Sequence, residues 1–314
     1  MSRRVPARSV AVLSVAVLLL AGCTGDPESS PRPDAPPSVS DALRSRCEAI
    51  DFSDPAQGRL TFEDDFDGGT LDESRWRVRD DTYLDFDQAL IRRENVTVHD
   101  GLLDIAGLRL PRSEWRTTPK SRFDWNQVRG WSSGYVDTIG TFAQRYGTFE
   151  VRAKVPSRST RSRGVWPAFW LRANGTDGEI DVMESYGGPT IRDEDPSSTY
   201  FWNSWEESAQ SYSRDHLAGR AELPRGTRIW EGFHTYGVTW SPTCLRYTFD
   251  GRTVGLVPLD ARDYFTGPTF DAPFHLRLNM QVGSSFWGPA DDQHTRPRFH
   301  YLVDWVRVHQ SNDL

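Results

Sequence analysis

Basic residues, cysteines and helical patterns are scarce in this chain of 314 residues. Lysine and arginine together number 37 against 44 acidic residues, a formal charge of -7, which gives no support to a nucleic-acid partner held by a basic surface. Long amphipathic helical patterns and internal repeats are absent from the body of the chain, which excludes an α-helical architecture. Because 26% of the residues are charged and 37% hydrophobic, a wholly disordered or membrane-embedded protein is excluded as well.

The first 22 residues have the pattern of an export signal. A pair of arginines precedes an apolar run over residues 10–20, which is too short to span a bilayer comfortably. The run ends in Leu-Ala-Gly-Cys at residues 20–23, which resembles the bacterial lipobox. We predict a signal peptide over residues 1–22 and lipidation of Cys23, hence an extracytoplasmic protein anchored at the cell surface. An ordinary secreted protein in which Cys23 is incidental is the alternative.

Residues 23–46 are rich in proline and serine and read as an extended, lipid-anchored spacer before a folded domain over residues 47–314. Removal of the signal takes away three arginines, so the formal charge of -7 becomes -10, which disfavours a strongly anionic substrate. Two cysteines remain, Cys47 and Cys244. In an oxidising compartment they most simply form a disulfide. Two separate thiols are the alternative, because spacing says nothing about their distance.

The folded part alternates polar and apolar residues with a period of two. The pattern is clear over residues 148–155, 235–240, 245–249 and 301–309, and Asp250-Gly251 marks a hairpin turn. We therefore predict an all-β domain, a single two-sheet antiparallel sandwich.

The polar positions of the strand over residues 274–281 carry side chains that suit a sugar groove. Asn279 and Gln281 alternate there with apolar residues, where an ordinary wetted face would carry lysine, glutamate and threonine. Amide groups can hydrogen-bond sugar hydroxyls, so we predict that both residues bind substrate.

Most of the chemistry lies in Gly-Glu-Ile-Asp-Val-Met-Glu at residues 178–184. On a regular strand Glu179 and Asp181 share a face, whereas Glu184 has the wrong parity and would point into the core. A one-residue bulge near residues 182–183 would return Glu184 to the face of the other two. Crowding three carboxylates would then raise the proton affinity of at least one of them.

A nucleophilic carboxylate beside a protonated one is the equipment of retaining glycoside hydrolysis. We assign Glu179 as nucleophile, Glu184 as acid and later base, and Asp181 as the residue that orients Glu179. On its own the E-x-D-x-x-E spacing fits an acidic solvated strand or a cation site about as well.

The aromatic segment Gly-Val-Trp-Pro-Ala-Phe-Trp-Leu at residues 164–171 precedes the acidic strand. Together they resemble glycoside hydrolase family 16, the laminarinase and β-glucanase group. The resemblance implies a jelly-roll sandwich with a concave substrate cleft, the carboxylate roles given above and no cofactor for catalysis. Further matches are Phe62 to Phe66, Leu71-Asp72, Trp76, Asn95-Val96, Tyr146 to Lys154, His234 to Pro242 and Asp304 to Val308.

The twelve tryptophans either pack in a core or offer platforms for a flat ligand. The resemblance implies that Trp166 and Trp170 shape the subsites beside the cleavage point and that Trp131 and Trp287 border the cleft. We add Trp202 to the substrate-binding set. For Trp202 and Trp205 the cleft and its rim are equal alternatives. Trp240 and Trp305 lie in alternating strands, where packing is the favoured reading.

The resemblance also implies a structural calcium ion at Asp304 and the carbonyl of Gly101, with a simple surface carboxylate as the alternative. Two departures from the family's glucanase pattern concern the substrate. Phe201 stands where a histidine would face the cleft, and Asp-Phe-Asp-Gln at residues 85–88 replaces Asn-Glu-Leu-Gln.

We therefore expect an endo-acting, retaining hydrolase of a β-linked polysaccharide, with β-1,3-glucan as the leading substrate. The alternatives are an envelope-glycan transglycosylase, a galactan hydrolase and a non-catalytic glycan-binding surface lipoprotein. The expected partners are the polysaccharide and, through the lipid anchor alone, the membrane, and we expect a monomer.

Overall fold

The computed structural model describes residues 54, 58–85, 87–119, 128–173, 178–191, 196–206, 215–259, 265, 267–284 and 287–312. All of them belong to the compact unit Val39–Leu314. The predicted signal peptide and spacer, Cys23 and Cys47 lie outside these residues. Cys244 is disulfide-bonded. Within the described part, no helix is both long and apolar enough to cross a bilayer.

The larger sheet contains eleven of the strands in the described residues. They are β1 (Gly58–Asp64), β3 (Thr82–Tyr83), β4 (Ala89–Ile91), β5 (Val96–His99), β6 (Leu102–Arg109), β9 (Trp131–Ser133), β11 (Gly147–Lys154), β16 (His234–Trp240), β17 (Cys244–Phe249), β18 (Arg252–Pro258) and β20 (Arg298–Ser311). The order is β18-β17-β16-β11-β20-β6-β9-β4-β3, with β1 paired to β20 and β5 to β6.

The smaller sheet contains seven of the described strands. They are β2 (Arg77–Val78), β10 (Tyr135–Asp137), β12 (Val165–Ala173), β13 (Gly178–Glu184), β14 (Phe201–Glu206), β15 (Asp215–Arg220) and β19 (Phe274–Val282). Their order is β15-β14-β13-β12-β19-β10-β2. A separate hairpin joins β7 (Arg116–Thr117) to β8 (Val128–Arg129). Short 3-10 turns occupy Arg93–Asn95, Arg112–Glu114 and Pro196–Ser198. Among the described pairs, all are antiparallel except β4 with β9.

The two sheets pack face to face through the apolar halves of their alternating strands. In β19, residues 274, 276, 278, 280 and 282 are all buried, as the period of two predicts. Trp240 of β16 in the larger sheet meets Phe274 of β19 with ring centroids 4.8 Å apart. Burying each such side chain contributes roughly 1.5–3 kcal/mol. The predicted all-β sandwich is therefore confirmed, and Trp240 is a core residue.

The predicted hairpin at Asp250-Gly251 joins β17 to β18. Asp250 has a φ of 47° and Gly251 a φ of 74°, so both residues lie in the left-handed region. Two-residue turns of this kind match the twist of the flanking strands, which explains why aspartate and glycine stand here.

Trp131 was predicted to border the cleft, and the structure contradicts this. It lies on β9 in the larger sheet, is 1% exposed and packs its ring 5.8 Å from that of Phe299. A ring so buried has no face to offer a sugar, so Trp131 is a core residue. Trp305, by contrast, is half-buried beneath the guanidinium of Arg307.

The prediction for Trp202 is also wrong. Its ring stacks on Tyr247 of the larger sheet, with centroids 4.6 Å apart and the planes 17° from parallel. Gly219 and Gly255 make room for it, because a Cβ at either position would overlap the indole. Trp202 therefore points between the sheets, and it packs against the core.

Trp131→Ala should lower the free energy of unfolding by about 3–5 kcal/mol, because it leaves a cavity in a filled core. Urea unfolding monitored by circular dichroism measures the loss. Leu60→Ala, at a side chain 43% exposed, is the control and should change the free energy little. Equal stabilities for the two variants would show that Trp131 is not a packing residue.

Candidate active site

The carboxylates of β13 are brought together by a bulge. Ala168 and Trp170 of β12 stand two residues apart and oppose Glu184 and Asp181, which are three apart. The register with β14 jumps at the same place, between Asp181 and Glu184. The extra residue reverses the parity of the strand, as predicted for residues 182–183. Glu179, Asp181 and Glu184 consequently share one face of the smaller sheet.

Glu184 is buried, with 8% of its surface exposed, and donors meet both of its oxygens. The indole N–H of Trp166 donates to Oε1 over 2.9 Å. The amide of Asn203 donates to Oε2 over 2.7 Å. The hydroxyl of Tyr186 is a further hydrogen-bond partner. These contacts hold the carboxyl group in one orientation.

Asp181 and Glu179 have different surroundings. Asp181 is buried, and its Oδ2 accepts the indole N–H of Trp205 over 2.8 Å. Glu179 is more exposed, and its Oε2 accepts a guanidinium N–H of Arg172 over 2.8 Å. Arg172 stands directly opposite Glu179 on β12. A charge-assisted bond of this kind favours the ionised carboxylate, which is the form a nucleophile needs.

Burial raises the pKa of Glu184 to about 7, and the negative charge of Glu179 adds to the rise. Hydrogen bonds from Asn203, Trp166 and Tyr186 work in the opposite direction. Burial also raises the pKa of Asp181 well above its usual range, with further contributions from the charges of Glu184 and Glu179. Near neutral pH the face can therefore hold an ionised carboxylate beside protonated ones.

Trp166 and Trp170 lie on the carboxylate face, as their shared parity predicts. The indole N–H of Trp170 donates to Oδ1 of Asn279 over 2.6 Å, and the guanidinium of Arg277 lies 4.7 Å from the centre of its ring. Asn279 is completely buried, so it orients Trp170 and the prediction that it contacts substrate is wrong. Gln281 is half-buried opposite Trp166 on the same face.

A cluster of aromatic rings lies beside Glu184. Tyr186 has ring centroids 5.2 Å from Trp166, 5.3 Å from Phe201 and 5.0 Å from Trp287. Trp287 thus packs against Tyr186, a hydrogen-bond partner of the acid, and its place at the border of the cleft stays a prediction. Phe201 stands opposite Glu184 in the register and packs against Trp287 with ring centroids 5.5 Å apart, in place of the histidine of the family's glucanase pattern.

Three residues that contact the carboxylates were not predicted from the sequence: Arg172, Tyr186 and Asn203. Asn203 and Trp205 stand opposite Asp181 and Glu179 on β14. The period of two could have identified them only once the pairing of β13 with β14 was known.

Two residues of the segment that departs from the family pattern, Asp87 and Gln88, hydrogen-bond to neighbouring strands and loops. The buried carboxylate of Asp87 accepts the backbone N–H of Ala89 over 3.1 Å and that of Val282 over 3.4 Å. Oε1 of Gln88 accepts the backbone N–H of Ala290 over 2.7 Å. These bonds tie β4 to the end of β19.

The two predicted calcium ligands, Asp304 and the carbonyl of Gly101, do not belong to a cluster of acidic ligands among the described residues. Asp304 is paired with the guanidinium of Arg152. Gly101 occupies a turn with a φ of 72°. Calcium takes six to eight oxygen ligands, and in the described part of the chain no three His, Cys, Asp or Glu side chains cluster to hold a metal. The calcium ion stays a prediction.

A row of carboxylates on a bulged strand, held by indole and guanidinium donors on one face of a β-sandwich, defines a glycosidase of the two-carboxylate class. The chain belongs to glycoside hydrolase family 16: residues 59–311 match the family model described as beta-porphyranase A-D, GH16 domain.

Two curated proteins are similar to the chain over most of its length. It is 29% identical to glucan endo-1,3-beta-glucosidase A1 of Niallia circulans, over 91% of this chain and 42% of that protein. It is 27% identical to a beta-glucanase of Rhodothermus marinus, over 83% of this chain and 88% of that protein. The chain thus spans less than half the length of the first of these relatives.

The fold matches solved structures as well. The catalytic domain of an endo-1,3-beta-glucanase (laminarinase) from Thermotoga petrophila RKU-1 superposes with a TM-score of 0.64 at 24% identity. The match covers 82% of this chain and 99% of that domain. It supports the jelly-roll sandwich that the family resemblance implies.

Glu184 should titrate near pH 7, and Glu179→Gln should lower its pKa because the variant removes a neighbouring negative charge. The carboxyl carbon shift of Glu184, followed by 13C NMR, measures this. Because the acid has to carry its proton, kcat/KM of the wild type should fall as the pH rises through that value.

Glu222→Gln, at an exposed glutamate, is the control and should leave the titration of Glu184 unchanged. An identical pKa for Glu184 in the Glu179→Gln variant would mean that the two carboxylates do not interact.

Proposed function

We propose that this protein hydrolyses a β-linked polysaccharide within its chain, with retention of anomeric configuration, by double displacement. The observation that carries the proposal is the bulge in β13, which sets an ion-paired Glu179 beside a Glu184 that holds a proton up to about pH 7. The family and the named activities of both curated relatives support the same reaction class.

In the first step an oxygen of Glu179 attacks the anomeric carbon, and the glycosidic bond breaks. Glu184 gives its proton to the leaving oxygen, so the departing chain leaves as an alcohol. In the second step the ionised Glu184 takes a proton from water, whose oxygen attacks the anomeric carbon and releases Glu179. Asp181 takes no part in making or breaking bonds, and we assign it to position Glu179, which lies on the same face of β13.

For the substrate we propose β-1,3-glucan, which the names of the Niallia protein and the Thermotoga laminarinase support. A β-linked galactan is the second candidate. It is favoured by the match to a porphyranase-type domain and by Phe201, which offers a ring face where a glucanase would offer a hydrogen-bonding histidine.

A non-catalytic glycan-binding protein is not favoured, because binding alone has no use for an ion-paired carboxylate beside a protonated one. Transfer to a second sugar would use the same first step, and no contact among the described residues favours it over hydrolysis. We further propose export as a monomeric surface lipoprotein anchored through Cys23, on the strength of the motif at residues 20–23 and the spacer that follows.

Glu179→Gln should lower the release of reducing ends from the preferred polysaccharide by at least about a thousandfold, because the nucleophile is lost. A panel of linear β-glucans and β-galactans identifies the substrate in the same assay. Glu222→Gln should keep full activity, and full activity in Glu179→Gln as well would refute the proposed mechanism.

Glu184→Gln separates the two carboxylate roles. With an aryl glycoside whose leaving group needs no proton, this variant should still form the glycosyl-enzyme and release the phenol in a burst. Glu179→Gln should give no burst. A burst in Glu179→Gln alone would reverse the assignment of nucleophile and acid.

A further inference from the structure

A second pocket lies outside the carboxylate face, where the end of β11 meets the start of β20. Its volume is about 220 Å³. Six of its lining side chains are basic and none is acidic. The basic residues are Lys154, Arg158, Arg161, Arg296, Arg298 and His300, and Trp230 lies among them.

Three segments bring these side chains together. On β20, Arg298 and His300 alternate with the buried Phe299 and Tyr301, so the basic pair points away from the core. Lys154 stands opposite Leu302 in the register of β11 with β20. The backbone N–H of Arg296 donates to the carbonyl of Arg161 over 2.9 Å. This bond joins the residues just before β20 to the loop between β11 and β12.

Arg158 is held in place before any ligand arrives. Its guanidinium carbon lies 4.6 Å from the ring centre of Trp230. Stacking of a guanidinium on an indole leaves the edge N–H groups free to donate, and it reduces the side-chain entropy that binding would remove.

The charge of the pocket is not balanced within the described residues. Elsewhere arginines pair with carboxylates, as Arg77 and Arg79 do with Asp137. In the described part of the chain Lys154 and the four arginines of the pocket make no ion pair. Oδ2 of Asp104 lies 2.8 Å from Nδ1 of His300, but the same oxygen also contacts His99. Five permanent positive charges therefore face one cavity in a chain whose formal charge is -7.

The pocket adjoins the segment that leaves the catalytic strand. The backbone N–H of Gly188, four residues after Glu184, donates to the carbonyl of Arg158 over 2.7 Å. The backbone N–H of Ser162 in turn donates to the carbonyl of Gly188 over 2.9 Å. Two backbone hydrogen bonds thus connect the loop that carries Arg158 to the segment after β13, and the pocket uses no side chain assigned to the catalytic site.

We propose that this pocket binds an oxyanion group, a sulfate ester or carboxylate, of an acidic polysaccharide. Several cations around a cavity of this size can donate to the oxygens of one such group at once. A polysaccharide is the expected carrier of this group, because the loop that carries Arg158 is hydrogen-bonded to the segment that leaves the catalytic strand. The inference does not rest on the proposed hydrolysis, because binding here needs none of the carboxylates.

Binding of dextran sulfate to the full chain tests the proposal, with dextran and inorganic sulfate as parallel probes. Dextran sulfate and dextran are α-linked, so hydrolysis of a β-linkage does not affect the binding measurement. The double variant Arg158→Ala/Arg298→Ala should weaken dextran sulfate binding about tenfold or more, because each charge-assisted bond is worth a factor of at least about ten. Wild-type binding should weaken with added salt, and dextran should not bind.

Arg59→Ala/Arg252→Ala removes the same charge at two exposed positions outside the pocket and is the matched control. It should keep dextran sulfate affinity within about twofold of the wild type. The double variant Arg158→Lys/Arg298→Ala should recover part of the affinity lost in Arg158→Ala/Arg298→Ala. Thermal melts check that each variant is folded.

Equal losses in the pocket and control variants would overturn the proposal, since they would show diffuse attraction to the whole surface. Absence of dextran sulfate binding by the wild type would overturn it too. The assignment to a polysaccharide would be overturned if the affinity for inorganic sulfate equalled the affinity for dextran sulfate expressed per sulfate group.

Discussion

The bulge in β13 is the constraint on which the chemistry of this molecule depends. On a regular strand Glu184 would point between the sheets, into space filled by side chains such as Val182 and Met183. One extra residue reverses the parity and leaves the apolar side chains inside while the carboxylate turns out. Both neighbouring strands shift register at this point, so the bulge is built into the pairing of the sheet.

The same placement creates the electrostatics of the site. Glu184 shares its face with other carboxylates and is nearly covered, so burial and neighbouring charge together raise its pKa to about 7. Two direct donors, Trp166 and Asn203, hold it without cancelling that rise. Glu179 is more exposed and is paired with the guanidinium of Arg172, which favours an ionised carboxylate. One strand thus presents two glutamates in different states, which is what acid and nucleophile require.

Local features of the chain predicted much of this. The parity of residues 179–184 was enough to require a bulge, and the alternation of β19 was enough to define a core face. The prediction was wrong for Trp131, Trp202 and Asn279, because their surroundings depend on contacts between distant parts of the chain. Sequence does not say which sheet a strand joins or how deeply its polar face is covered by neighbours. On β14, Trp202 and Trp205 differ in parity, and only the pairing with β13 decides which one meets the carboxylates.

The net charge of the chain likewise did not predict the basic pocket. The overall acidity of the chain argued against anionic partners, yet residues from three distant segments gather five cations around one cavity. Net charge describes the long-range field, whereas a bound group responds to the charges within one Debye length.

The stereochemistry of the first product tests the central claim most directly. Proton NMR of a β-linked oligosaccharide during early hydrolysis resolves the anomeric signals before mutarotation. Double displacement through Glu179 predicts that the new reducing end appears first as the β-anomer. Initial appearance of the α-anomer would show a single displacement by water and would contradict the roles assigned to the carboxylates of β13.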